Sequence, residues 1–165
     1  MTALLSRRLV LPIGEVARLC ELVGLLIPPG FEAPATPIRT EGLLVDDAVH
    51  PSVAAGLLAT CSPQIAILAR GSVGDVAAVW GVRGDLGGSM LRAGDSAVEV
   101  AAWPVERLGP ELRRAVPAGL TGTLRLTVVA PPRIVGQLDW HLSGDADDAH
   151  DIGAALAPLV AAGLS

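Results

Sequence analysis

Between Pro63 and Pro104 the chain is cut into four runs of strand length, 64–70, 75–83, 86–92 and 96–102, by short turns such as Gly84-Asp85 and Gly94-Asp95. No other feature constrains the fold as much. Gly reaches the positive φ that tight hairpin turns require, and consecutive strands joined by turns this short can pair only antiparallel. In the second run Val76, Ala78, Trp80 and Val82 share one face, and in the fourth Val98, Val100 and Ala102 do. A period of two is what a half-buried sheet needs, so the segment reads as a four-stranded antiparallel meander with Trp80 in the core.

Helical patterns flank this meander. Residues 7–11 read as a short strand running into Pro12, which suits a first helical position. Ile13, Val16, Leu19, Cys20, Val23 and Leu26 then recur at three- and four-residue spacing, which predicts a helix whose apolar stripe ends before Pro28. Residues 28–37 hold four prolines and form an extended connector. His50, as cap, and Pro51 open a second helix with Val53, Ala54, Leu57, Leu58 and Cys61 on its apolar side, and Pro63 stops it. Pro104 opens a third, with Val105, Leu108, Leu112 and Val116 toward the sheet and Glu106, Arg107, Glu111, Arg113 and Arg114 toward water.

Two further strands, 123–130 and 134–142, are joined by Ala130-Pro131-Pro132-Arg133. In the second, Ile134, Leu138, Trp140 and Leu142 point one way and Val135, Gln137, Asp139 and His141 the other, leaving one wet face. A terminal helix follows, with Ile152, Ala155, Leu156, Leu159, Val160 and Gly163 as its stripe and a kink expected at Pro158. The expectation is one α+β domain over residues 1–165: an antiparallel sheet, as a four-stranded meander plus two strands, with flanking amphipathic helices.

Composition bounds the partners. The chain is 51% apolar with mean hydropathy +0.53, more than a domain of this size readily buries, so part of its apolar surface is expected to meet another molecule. Lys, Asn and Tyr are absent while Ala, Gly, Val, Leu, Pro and Arg abound. This is the bias of a GC-rich, actinobacterial coding sequence, and it empties the missing Lys of chemical meaning. At a net charge of −5, with its twelve Arg scattered apart from Arg7-Arg8 and Arg113-Arg114, the chain offers no basic stripe for nucleic acid. Arg7, Arg8, Glu15, Arg18 and Glu21 interrupt every apolar run near the N-terminus, so neither a signal peptide nor a membrane span fits, and a cytoplasmic location is expected. Cys20 and Cys61 lie far apart with no C-x-x-C, and read as buried free thiols rather than a bridge.

Catalytic patterns are missing. G-x-S-x-G does not occur, and Gly81, Gly84, Gly87 and Gly88 match neither phosphate-loop spacing. Asp139, His141, Asp145, Asp147, Asp148, His150 and Asp151 are the densest polar cluster and could hold a metal. Read as a calcium loop from Asp145, however, the sixth position is His150 where Gly is needed and the twelfth is Leu156 where Glu is needed. The cluster therefore reads as carboxylates at the positive end of the terminal helix. No catalytic, cofactor or metal residue is assigned. A small metal- or ligand-binding enzyme built on Asp139–Asp151 is the alternative reading. His50 is expected to be structural, and Trp80 and Trp140 core, with Trp103 at a strand–helix junction the exception among the three.

The segments PIGEVARLCELVGLLIPPG (Pro12–Gly30) and EGLLVDDAVHPSVAAGLLATCSP (Glu41–Pro63), with Trp103-Pro104-Val105 closing the meander, resemble one half of the EspG family, the cytosolic chaperones of mycobacterial type VII secretion. The most telling positions are Gly42, Leu43, Leu44, His50, Pro51, Val53 and Leu57, which look like fold-makers. The resemblance spans roughly residues 5–118 and leaves 119–165 as a divergent β-β-α tail. Family members carry two such halves and keep PE–PPE heterodimers soluble. What the resemblance implies is a cytosolic protein-binding fold linked to secretion, with a helical secretion substrate or partner; the missing catalytic, metal and nucleotide patterns add the expectation of a non-enzymatic chain without a cofactor. One half alone further implies a homodimer, expected through a sheet edge and the kinked terminal helix at Leu156, Leu159 and Val160, with Trp103 as a further contact.

Overall fold

A computed structural model describes residues 7–71, 76–114, 121–143 and 152–165. Along the chain come β1 (Arg7–Pro12), α1 (Ile13–Val23), β2 (Leu44–Val45), β3 (Ala48–Val49), α2 (Pro51–Cys61), β4 (Ile65–Arg70), β5 (Val76–Arg83), β6 (Leu86–Arg92) and β7 (Ala97–Pro104). A 3₁₀ turn (Val105–Arg107) then runs into α3 (Leu108–Arg114), followed by β8 (Thr121–Ala130), β9 (Arg133–Ser143) and α4 (Ile152–Leu164). The expected meander forms from β4 to β7, and β1 and the β8–β9 hairpin extend it into one open, fully antiparallel sheet ordered β1-β7-β6-β5-β4-β8-β9. β2 and β3 make a separate small hairpin. The fold is α+β.

Both faces of the sheet are covered, where the sequence suggested a half-buried one. Val79, Met90, Val98 and Val100 meet Val16 and Leu19 of α1 and Val53 and Leu57 of α2. On the opposite face Ile67, Trp80, Val82 and Ala101 meet Leu112 of α3 and Ile152 and Leu156 of α4. The alternation in β5 and β7 is real, but the intervening positions are largely apolar too: Val79 and Gly81 in β5 and Ala101 and Trp103 in β7 let helices pack on both sides. Gly81 and Gly88 are the clearest case. A Cβ on Gly81 would sit 2.0 Å from the Ala59 carbonyl oxygen, and one on Gly88 would sit 2.3 Å from that of Gly56, so α2 lies backbone-on-backbone across the sheet.

Several local readings need correction. Helix α1 stops at Gly24, which takes φ 71°, and the Leu25 amide reaches back to the Cys20 carbonyl at 2.9 Å. Leu26 therefore leaves the helical stripe and is 86% exposed. Glu111 does not face water. Its side chain is buried, Arg8 from β1 bonds its Oε1 at 2.6 Å, and its carbonyl accepts the Trp80 indole N–H at 3.2 Å. In β9 the register slips opposite Val128 and Val129, leaving Val135 as an extra residue. The bulge turns Val135 and Gly136 toward α4 and swings Ile134 out to 63% exposure, inverting the alternation expected at that end. Val116 lies outside the described residues.

Candidate partner-binding groove

The proline-rich connector is laid along α1 by two devices. Gly14 has no Cβ, and one placed there would stand 2.5 Å from Thr36 Oγ1, so the connector can approach closely enough for the Thr36 amide to donate to the Gly14 carbonyl at 3.0 Å. Glu15 is the second. Its carboxylate, only 4% exposed, accepts the Arg39 amide at 2.8 Å, the Thr40 amide at 3.2 Å and the Thr40 hydroxyl at 2.6 Å. Burial alone would push this carboxyl up, but the Thr40 hydroxyl and the two backbone donors, with the Arg39 charge nearby, hold it below the ordinary carboxylate range.

Beyond the connector the β2–β3 hairpin folds back through Asp46 and Asp47, both at positive φ (51° and 63°). Asp tolerates the left-handed region better than most side chains. Helix α1, the connector and this hairpin enclose an open groove of about 810 Å³, lined among others by Arg18, Leu22, Ile38, Leu44 and Asp47. Leu22 and Leu44 are 42% and 37% exposed. Arg18 and Glu21 pair at 3.1 Å on the same helix. The groove thus offers apolar side chains between opposite charges, which suits an amphipathic surface.

The residues singled out from sequence lie elsewhere. Trp103, 2% exposed, is sunk into the chain's own core, where its indole N–H donates to Ser89 Oγ at 3.2 Å and its ring occupies the space that a Cβ on Gly87 would fill. Leu156 is equally buried, and Leu159 and Val160 pack on the same internal cluster, Leu159 over Gly136. Trp103 and Leu156 thus face the inside of the chain, while Leu159 and Val160 are half-buried against it. His50 caps α2 as expected, its Nδ1 accepting the Ser52 amide at 3.1 Å.

Of the acidic cluster, Asp139 is held by Arg125 across β8–β9 at 2.9 and 3.3 Å, and that guanidinium keeps its carboxyl below the usual range. His141 meets Thr123 Oγ1 at 3.2 Å. The remaining members, Asp145, Asp147, Asp148, His150 and Asp151, lie outside the described residues. Among the described residues no group of three or more His, Cys, Asp or Glu side chains could hold a metal ion, and no helix is long and apolar enough to cross a membrane.

Two constellations had no signal in the sequence. Arg8, Glu99, Glu111 and Arg114 form a charge network joining β1, β7 and α3. Cys20 and Cys61, separated by 41 positions, bring their sulfurs to 3.9 Å. No family model matches the chain, and no curated protein matches it.

Proposed function

We propose that this chain is a non-enzymatic, cytoplasmic protein-binding protein that holds an amphipathic helix of a secretion-linked partner in the groove between α1, the connector and the β2–β3 hairpin. The observation that carries the reading is the exposure of Leu22 and Leu44 in the lining of that groove, beside Ile38 and among Arg18, Glu21 and Asp47, since apolar side chains gathered at a concave surface with polar neighbours mark protein contact. The EspG-like segment Glu41–Pro63 supplies the hairpin wall, with Leu43 buried beneath it and His50 fixing the next helix. This supports a chaperone-like role in type VII secretion.

The test is co-purification from an actinobacterial host expressing PE/PPE-type helical pairs, comparing the native chain with a Leu22→Asp/Leu44→Asp variant. Both side chains are already partly exposed, so the variant should fold. Retention of a helical secretion substrate by the native chain, weakened at least about tenfold in the variant, supports the proposal. Retention indifferent to the two substitutions would remove the groove from it.

We further propose a homodimer formed by antiparallel pairing of β9 with β9 of a second copy. The sheet is open and ends on this strand of 11 residues, whose outer row of backbone groups is a template for another strand. Antiparallel self-pairing is isologous, so one patch meets itself. Light scattering at micromolar concentration should report about twice the 16.8 kDa chain mass, and a persistent monomer would refute it.

A further inference from the structure

We propose that Cys20 and Cys61 are the two halves of an intramolecular disulfide that forms when the protein meets a hydroperoxide, tying the end of α1 to the end of α2. Cys20 sits on the inner side of α1 and is 1% exposed, while Cys61 is the last residue of α2 and half-buried. Their sulfurs are 3.9 Å apart in the reduced chain. A disulfide needs about 2.05 Å, so the sulfurs must close by a little under 2 Å. Rotation about either Cα–Cβ bond moves sulfur by that order, and Cys61 stands where the helix gives way to Ser62-Pro63. Among the described residues neither thiol belongs to a group of three or more His, Cys, Asp or Glu that could hold a metal ion.

The chemistry balances with the peroxide as the only oxidant. Cys61, the less buried of the two residues, attacks the O–O bond through its small thiolate fraction; one oxygen leaves as water with the proton the thiol gave up, and the other stays as a sulfenic acid. The Cys20 sulfur then displaces that hydroxyl, which departs as a second water with the thiol proton. Two thiols lose two electrons and two protons, and hydrogen peroxide becomes two waters. Both cysteines lie near helix C-termini, where the dipole disfavours a thiolate. The hydrogen bond to Cys20, and then burial, push the Cys61 thiol up. The pair should therefore react slowly and serve as a lock rather than a fast sensor. What it locks is the loop from Cys20 to Cys61, which contains the connector and the β2–β3 hairpin.

The experiment is to treat the native chain with millimolar hydrogen peroxide, denature it in N-ethylmaleimide and weigh it. The reduced chain should take up two maleimides. The oxidised chain should take up none, weigh two hydrogens less than the untreated chain, remain a single chain without reductant, and release a Cys20–Cys61 linked peptide on digestion. Closing a loop of this length should raise Tm by about 5–10 °C, reversibly with dithiothreitol. Cys61→Ser, at the half-buried position, should abolish the linked peptide and the Tm shift; Cys20→Ala should do the same and guards against one variant failing to fold. The proposal is overturned if peroxide leaves both thiols free, carries them to sulfinic acid without a linked peptide, or links separate chains instead.

Discussion

The contact between α2 and the sheet can be tested through Gly81. A methyl group placed there would lie 2.0 Å from the Ala59 carbonyl oxygen and 2.9 Å from the Thr60 Cα, and both obstacles are backbone. No flexible side chain can swing aside. Restoring ordinary contact at 3.4 Å requires helix and strand to separate locally by about 1.4 Å, which draws Val53 and Leu57 away from Val79, Met90 and Val100. Inserting one carbon into a well-packed core costs about 1–3 kcal/mol. With rigid backbone on both sides, Gly81→Ala should stand at the top of that range, about 3 kcal/mol. Gly81 does not occupy positive φ, so the penalty is steric and not conformational. Gly109→Ala is the control: a Cβ there meets nothing within 4 Å, and a helical Gly→Ala change is neutral or stabilising by up to about 1 kcal/mol. Urea melts followed by circular dichroism would read both. A loss below about 1 kcal/mol for Gly81→Ala, or equal losses for the two variants, would mean that α2 does not lie on the sheet as described.

Leu57→Ala, at the centre of the α2 contact, should cost about 2–5 kcal/mol in the same melts, and a loss under about 1 kcal/mol would remove Leu57 from the core. Glu15 makes stability depend on acid: because its folded carboxyl lies below the ordinary range, its contribution is complete above that range and is lost as pH falls through the lowered one. Glu15→Gln should therefore lower stability by about 1–3 kcal/mol at neutral pH, with the gap to the native chain narrowing in acid; a constant gap would contradict the clasp. Arg8→Ala leaves Glu111 buried, its Oε2 already without a hydrogen-bond partner and Arg114 Nε 3.9 Å away. It should cost about 2–4 kcal/mol, and Arg8→Met/Glu111→Met less than Arg8→Ala alone.

Much of the architecture is legible in local signals. The meander follows from Gly- and Asp-bearing turns spaced about one strand apart, the entry to α2 from His50-Pro51, and the burial of Trp80 from its place in an alternating run. Each is decided within a few residues by φ preference, period or capping, so no distant partner is needed to read it. Where tertiary structure decided, the cause was a contact between segments far apart in the chain. Gly81 and Gly88 are two glycines inside strand runs with no evident purpose until α2 is found lying on them. Glu111 looks like a solvated charge until Arg8, 103 positions away, neutralises it and lets it be buried. Trp103 looks exposed at a strand–helix junction until Gly87 on the neighbouring strand leaves a slot for its ring. Val135 inverts the expected face of β9 because a bulge depends on how two strands pair, which neither strand encodes alone. The groove likewise depends on a connector held by Glu15 and Gly14 against its own helix. Cys20 and Cys61 meet only because α1 and α2 are stacked on the same face of the sheet, and a one-dimensional pattern carries no record of which helices share a face.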